Sequence, residues 1–492
     1  MKKTLNMMLA MTAGAMAFTA CSNDDILENI ENNEVAENAS QLKPMTFTAV
    51  QEGEGGTRTA IATDTDGKAN GINWTAGDKI SIFDGASENA GVQMFELATG
   101  ENTTSATFTG SAAEAATYYA LYPYAVGETS RPVSQAEAEA AAGRYSRELE
   151  MWKDMIGFGD EEMLKDDMEH MDISAENQAI ILAYLKNEPI GTPGVQLDGS
   201  SIKNVVIPAE QTATAGSADP TAMVMVAKGN DKDALQFKNV CAYVKVTPQF
   251  NCTAICLKSN GTQNIAGKVT VDCSGETPSS TITADGTNSV MLTGTITAGN
   301  AYYIAVLPVA LTSGFTIEFL TADKTNYYAR STSKDLGLAR SNVKNLGVFE
   351  TTGAWTYNIP THGEDNGHSW RLITPGFKIA TSYASNDGVT FANIPSWGAN
   401  WVLPAADEMT DLMSKGYIVF DKTEPMHSKI RLVGADVLKY AGDDYIDNGS
   451  YGLYLWSSTP GENADRQTVI SNYGPFTSSK TSTNFVLFQY NN

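Results

Sequence analysis

Apolar and polar positions alternate with a period of two over much of this chain. Met45, Phe47 and Ala49 alternate with Thr46, Thr48 and Val50, which predicts a strand with one buried face and regular structure from Met45 onward. A glycine-rich break from Glu52 to Gly56 precedes Thr57-Arg58-Thr59. Further short strands are predicted at 71–74, 79–83, 106–109, 117–122 and 203–208, with turns at Asp66-Gly67 and Ala76-Gly77-Asp78. One pattern occurs twice. Ala106-Thr107-Phe108-Thr109-Gly110 precedes Tyr118 to Pro123, and Val290-Met291-Leu292-Thr293-Gly294 precedes Tyr302 to Pro308 at the same spacing. Two copies of a strand, turn, strand unit predict two related sandwich bodies in tandem. In the second, Val269, Val271 and Cys273, then Phe315, Ile317 and Phe319, alternate with polar residues, as one buried and one wet face require.

Between residues 133 and 188 the period changes to that of a helix. Ser134 with Glu137 reads as a capping box, followed by Tyr145, Leu149, Trp152 and Ile156 at helical spacing. A second helix is expected from Asp160, and a third from Ser174 towards Leu185, stopped by Pro189 and Pro193. Met151, Met155, Met163, Met168 and Met171 with His170 lack metal-ligand spacing, so the thioethers are expected to fill the seam of a small helical insertion. From Trp355 the composition shifts again, five of the seven tryptophans falling there, and Thr351-Thr352-Gly353 is the expected joint.

The start of the chain carries a different signal. Lys2 and Lys3, an uncharged run from Leu5 to Phe18 and small residues before Cys21 predict a secretory signal over residues 1–20. The run resembles a bacterial lipobox, which implies acylation of Cys21 and a lipid anchor in the membrane. Two or three acyl chains hold durably, at about 0.8 kcal/mol per buried methylene. The acidic Ser22-Asn23-Asp24-Asp25 resembles the export tags of Bacteroidales surface lipoproteins, implying the outer face of the outer membrane. Residues 21–44, acidic and rich in Asn, read as a lipidated flexible tether. The formal charge of −24 repels phosphate backbones, so nucleic acid is not an expected partner.

Cys241, Cys252, Cys256 and Cys273 follow Cys21. They are expected to be buried and unpaired, the alternative being two disulfides in any of three pairings. Cys252 and Cys256, four apart in a strand, would share a face about 13 Å apart, too far to bond each other.

Residues 45–349 resemble the Bacteroidales fimbrillin family. The likeness rests on Thr57-Arg58-Thr59-Ala60, on Ile72-Asn73-Trp74-Thr75-Ala76-Gly77-Asp78-Lys79-Ile80, on Tyr118 to Tyr124, on Ile207-Pro208-Ala209-Glu210-Gln211-Thr212-Ala213-Thr214-Ala215-Gly216, on Leu235-Gln236-Phe237-Lys238-Asn239-Val240-Cys241 and on Tyr302 to Pro308. The helical insertion departs from the family pattern. The resemblance implies two transthyretin-like sandwiches, export as a lipoprotein and assembly into thin surface fimbriae. It further implies strand exchange with other fimbrial subunits, a trypsin-like cut after an arginine freeing the first strand. Arg58 is the candidate for that cut, the alternative being an arginine that simply lies on an edge strand. A sandwich that loses an edge strand exposes backbone groups another subunit can satisfy.

The last 140 or so residues resemble a C-type-lectin-like module, also seen in sulfatase-modifying and bacterial paralogous surface proteins. Its marks are Asn400-Trp401-Val402-Leu403-Pro404-Ala405-Ala406-Asp407-Glu408-Met409 with Leu412, Ile430-Arg431-Leu432, Gly449 to Leu453 and Tyr454-Leu455-Trp456-Ser457-Ser458-Thr459. Val402 and a final strand at Phe485-Val486-Leu487-Phe488 depart from the pattern. No cysteine follows Cys273, which removes the thiol chemistry of the sulfatase-modifying enzymes, and no calcium loop is recognisable. No nucleophile elbow, phosphate loop or dinucleotide fingerprint occurs. His362 and His368 are too loosely spaced for a ligand pair, and with Glu364 and Asp365 between them they read as a solvated joint, the alternative being a metal site. No enzyme activity, metal or cofactor is expected. Sugars are held by aromatic faces with Asp and Asn side chains, so Trp397, Tyr451, Tyr454, Asn463 and Asp465 are the candidate ligand residues, the alternative for each tryptophan being the core.

The sequence therefore predicts a mainly β chain. A first sandwich at 45–234 holds the helical insertion at 133–188, a second spans 235–350, and a C-type-lectin-like α+β domain occupies 355–492. The expected function is that of a surface-exposed outer-membrane lipoprotein of the fimbrillin type, a fimbrial tip or accessory subunit mediating adhesion to a host or bacterial surface glycan or protein. The alternative is a surface glycan-binding lipoprotein that does not polymerise.

Overall fold

Period-two patterning starts the first strand at Lys43, ahead of the expected Met45, and carries it to Gln51 with Met45, Phe47, Ala49 and Gln51 facing inward. The computed structural model describes residues 42–52, 62–63, 69–70, 73–84, 92–127, 129–159, 161–171, 173–192, 194–230, 235–384, 390–424, 427–447, 454–471, 474–480, 482, 484 and 486–490. The signal, Cys21, most of the tether, Arg58 and Tyr451 lie outside the described residues. The chain is mainly β, and among the described residues no helix is long and apolar enough to cross a membrane.

The first strand does not belong to an open sandwich. Lys43–Gln51, Leu235–Asn239, Met225–Gly229, Tyr118–Tyr122, Lys79–Phe83, Gln93–Thr99 and Ser105–Ala112 pair in that order and close into a barrel. Closure satisfies the backbone groups that an edge would leave unpaired. Trp74 fills the barrel, its ring edge-on to Phe108, Tyr122 and Phe237 at 5.0, 5.3 and 5.4 Å. The Trp74 to Asp78 motif has a local cause. Asp78 accepts hydrogen bonds from the Thr75 backbone N–H at 2.7 Å, the Thr75 hydroxyl and the Tyr122 hydroxyl, and Gly77 takes the φ of +84° that this turn needs.

The expected boundary at 234/235 falls inside this barrel, because Leu235–Asn239 pairs with the first strand and with Met225–Gly229. Conversely, Ser201–Ile207 and Glu210–Thr212 pair with Ala266–Asp272 and Ser289–Ile296 of the second body. The two β bodies are thus interleaved along the chain, and a single apolar core runs through both. The repeated pattern does mark equivalent places. In each copy a buried tyrosine opens a wholly buried strand, and its hydroxyl accepts an N–H from the preceding turn, Ala115 to Tyr118 and Thr297 to Tyr302.

The second body contains a six-stranded sheet in the order Glu210–Thr212, Ser289–Ile296, Cys252–Ser259, Phe315–Thr321, Asn326–Thr332, Tyr357–Pro360. Its last strand follows the expected joint at 351–353. Trp355 also packs here, against Phe250, Phe319, Tyr328 and Phe349, so the change of body comes after Pro360. All four described cysteines are buried and free, and burial pushes the thiols of Cys241, Cys252 and Cys273 up to about 12. Cys252 and Cys256 do not share a face. A bulge between Cys252 and Ala254 turns Cys252 into the β-body core and Cys256 to the other side of the sheet, since one extra residue inverts the alternation.

The insertion is helical as expected, with the Ser134 to Glu137 capping box in place. The first helix is shorter than its periodicity suggests. Gly143, at φ +56°, ends it at Ala142, and Leu149–Phe158, Glu161–His170 and Ala175–Lys186 follow. Met168 lies in the insertion's own core, Met155 and Met171 pack against it, and Met151 and Met163 are exposed. The thioethers thus fill the seam only in part. A two-stranded ribbon, Thr129–Pro132 with Pro189–Thr192, carries the insertion.

The C-terminal module is built on a five-stranded sheet, His362–Asp365, His368–Thr374, Phe377–Ala380, Gln489–Tyr490 and Trp401–Val402. Helix Ala406–Ser414 and two three-stranded sheets complete it. The last strand among the described residues is Gln489–Tyr490, while Val486 to Phe488 are buried outside any strand and Phe485 lies outside the described residues.

Candidate functional site

The first strand is held on both sides. It runs antiparallel to Ser105–Ala112, from Lys43 opposite Ala112 to Val50 opposite Ser105, and parallel to Leu235–Asn239 over Ala49 to Gln51. Phe47 meets Phe95 and Tyr118 edge-on at 5.1 and 4.9 Å. Each large apolar side chain so buried contributes about 1.5–3 kcal/mol. The strand ends less well than it begins. Gln51 is 4% exposed, and neither amide atom of its side chain has a hydrogen-bond partner among the described residues. Glu52 then leaves the barrel. Its backbone N–H donates to Phe237 O at 2.8 Å, and its carboxylate accepts from the Asn239 N–H at 2.7 Å and from Arg340 Nη1 at 2.6 Å. Arg340 also donates to Asn239 O.

Among the described residues, those expected to hold a ligand stand in separate segments of the C-terminal module. Trp397 is half-buried, stacked on His368 at 3.6 Å and packed against Trp401 and Phe488. Asn463 and Asp465 sit in the turn between Tyr454–Pro460 and Arg466–Ser471, where the Asn463 side chain accepts the Asp465 N–H. That bond closes the turn. Tyr451 lies outside the described residues; Tyr454 opens its strand.

In the expected solvated joint His362 is exposed and His368 half-buried, and each has a structural partner. His362 lies 3.0 Å from Asp444, which also accepts from Arg371, a side chain that is almost wholly buried. The His362 bond, outweighing the effect of burial, and Arg371 hold the Asp444 carboxyl below its usual range. His368 stacks on Trp397, while Trp401 Nε1 donates to Asp365. Alternation on the hairpin strand His368–Thr374 is the signal that could have placed His368 and Trp370 on one face.

A second polar cluster lies between the second body and the C-terminal module. Lys258 donates to Asp436 at 2.8 Å, and Lys439 pairs with Glu210. Glu318, buried beside them, accepts from the Tyr327 hydroxyl and the Val437 N–H; burial first, then the Asp436 charge, pushes its carboxyl up to about 7. Next to it a cleft of about 360 Å³ is lined by Glu210, Ser289, Lys415, Tyr417, Asp436 and Lys439, among others. Sequence reasoning missed this cluster because its members lie far apart in the chain.

The sequence matches no protein-family model and no curated protein. Among solved structures, the chain is similar to three from Bacteroides species, each described as a candidate cell adhesion protein. That from Bacteroides ovatus is 10% identical, covering 66% of this chain and 100% of its own, with a TM-score of 0.30. The Bacteroides uniformis structure is 16% identical over 60% of this chain and 88% of its own, with a TM-score of 0.29. The third, from Bacteroides fragilis, is 9% identical over 64% of this chain and 96% of its own, with a TM-score of 0.26.

Proposed function

We propose that this chain is a cell-surface lipoprotein of the fimbrillin type, a tip or accessory subunit that joins a fimbrium by strand exchange and mediates adhesion. The observation that carries the reading is the setting of the first strand, paired on both sides and continuous with residues 53–61, which include Arg58. Cutting there and losing the strand would open one groove in an otherwise closed barrel. Two ladder edges and the sites of Met45, Phe47 and Ala49 would then await a strand from another subunit. In the C-terminal module Gln489–Tyr490 lies between Phe377–Ala380 and Trp401–Val402, so this segment is committed to its own sheet.

A second reading, a glycan-binding lipoprotein that does not polymerise, is favoured by one feature: the intact barrel offers no open edge. Electron microscopy of cells with and without the gene separates the two. Loss or shortening of filaments supports the first, whereas unchanged filaments with lost glycan binding support the second. N-terminal sequencing of the surface form adds a direct test, with Thr59 expected after cleavage and Cys21, blocked by acyl groups, without it. Retention of a Cys21→Ser variant at the membrane would overturn the lipid anchor.

A further inference from the structure

We propose that the resident first strand is a deliberately imperfect occupant, and that the groove selects a replacing strand with an apolar residue in place of Gln51 followed directly by a carboxylate in place of Glu52. The inference rests on the strand-exchange reading above and names the chemistry of the partner strand. Two observations, independent of each other, carry it.

The first is a mismatch. Met45, Phe47, Ala49 and Gln51 are the inward positions of the strand, and all are buried. The first three are apolar and meet an apolar core. The fourth is an amide with two polar atoms shut away from water and no partner among the described residues. A buried amide left unpaired opposes the state that buries it. An aliphatic side chain of similar length at that position would bury the same surface without this cost, so the groove favours a strand that differs from its present occupant there.

The second is a cationic gate just beyond. The residue after the last inward position has its N–H tied to Phe237 O, which fixes where its side chain points. It points at Arg340 and at the Asn239 N–H, two donors converging on one carboxylate oxygen at 2.6 and 2.7 Å. Arg340 is only 22% exposed and Glu52 23%. Without a carboxylate there, the partly buried guanidinium keeps Asn239 O alone. A bond between charged partners at this depth discriminates more sharply than a surface pair. It also sets the register, because sliding the strand by two residues keeps its inward face but moves the carboxylate away from both donors. Arg340 belongs to the second body, so the incoming strand would be read by residues on both sides of the barrel junction.

The test uses the full chain cut once after Arg58 by limited trypsin digestion, so that the first strand is held by non-covalent contacts only. Fluorescent peptides are offered to it: a copy of residues 43–52, the same with Gln51→Leu, and the same with Glu52→Gln. The Gln51→Leu peptide is expected to bind about tenfold more tightly than the copy, and the Glu52→Gln peptide about tenfold more weakly. The preference for Glu52 should vanish when the cut chain carries Arg340→Gln. If all three peptides enter with equal affinity, the selection rule is wrong while strand exchange stands. If no peptide enters and the cut strand stays in place, both fail.

Discussion

Two additions to the β bodies, the helical insertion and the C-terminal module, are attached in opposite ways. The insertion has its own core, built on Trp152, Leu164, Met168, Ile181 and Leu185, and is joined through one two-stranded ribbon. The C-terminal module shares its apolar core with the second body. Ala254, Cys256, Met291, Leu320, Tyr327 and Ala329 of the second body lie in the same cluster as Trp370, Met409 and Trp456 of the module, and Tyr357–Pro360 extends the second body's sheet on the way in. A pendant domain keeps its stability when detached, whereas one that shares a core cannot be parted from its neighbour without exposing apolar surface on both. Force applied to the C-terminal module would thus pass into the β bodies through packed side chains.

The largest effect is expected where that shared core is opened. Leu320 is fully buried on the face turned to the module, and Leu320→Ala should destabilise by about 2–5 kcal/mol. The loss should appear in the second body and the C-terminal module together, as one shifted transition in denaturant read by tryptophan fluorescence and amide exchange. A variant in which the module melts early while the second body keeps its midpoint would refute the shared core.

The charged part of the same junction should respond to pH. Glu318 has a folded-state pKa raised to about 7, above the ordinary value near 4.3 it regains on unfolding. The folded state then holds the proton more tightly between those values, so stability falls as pH rises through that window and changes no further above it, by at most about 4 kcal/mol. Glu318→Gln should flatten the dependence and raise the denaturation midpoint at pH 8. Asp436, Lys258 and Tyr327 face Glu318, and a slope that survives the substitution would show that Glu318 is not its source.

The contrast between the two attachments was only half legible in the sequence. A capping box and a change of period announced the insertion, because helix signals are local. The strands were legible in the same way, but not their partners. Leu235–Asn239 reads equally well in either body, and only pairing places it in the barrel. The composition step at Trp355 gave a boundary that the strand Tyr357–Pro360 overrides, since a linker that pairs with a sheet edge joins that sheet whatever its composition. The local bonding of a loop is hidden too: Asn463 is in a loop as expected, and the bond its side chain accepts from the Asp465 N–H leaves no trace in residue type.

A smaller effect is expected at the insertion. Replacing residues 133–188 by Asn-Gly joins Pro132 to Pro189 through a two-residue turn of the kind a ribbon accepts. The barrel midpoint should move by less than about 1 kcal/mol, because the insertion's core is separate from that of the β bodies. If the deletion collapses the barrel, the insertion is part of its folding unit and the contrast is lost. The smallest change sharpens the point. The Ser134 hydroxyl accepts the Glu137 N–H, so Ser134→Ala should cost the insertion about 1 kcal/mol. Amide exchange should quicken over residues 135–142 and remain as before in Tyr118–Tyr122, a wholly buried strand of the barrel. Equal quickening in both would mean that the ribbon transmits what the separate cores suggest it does not.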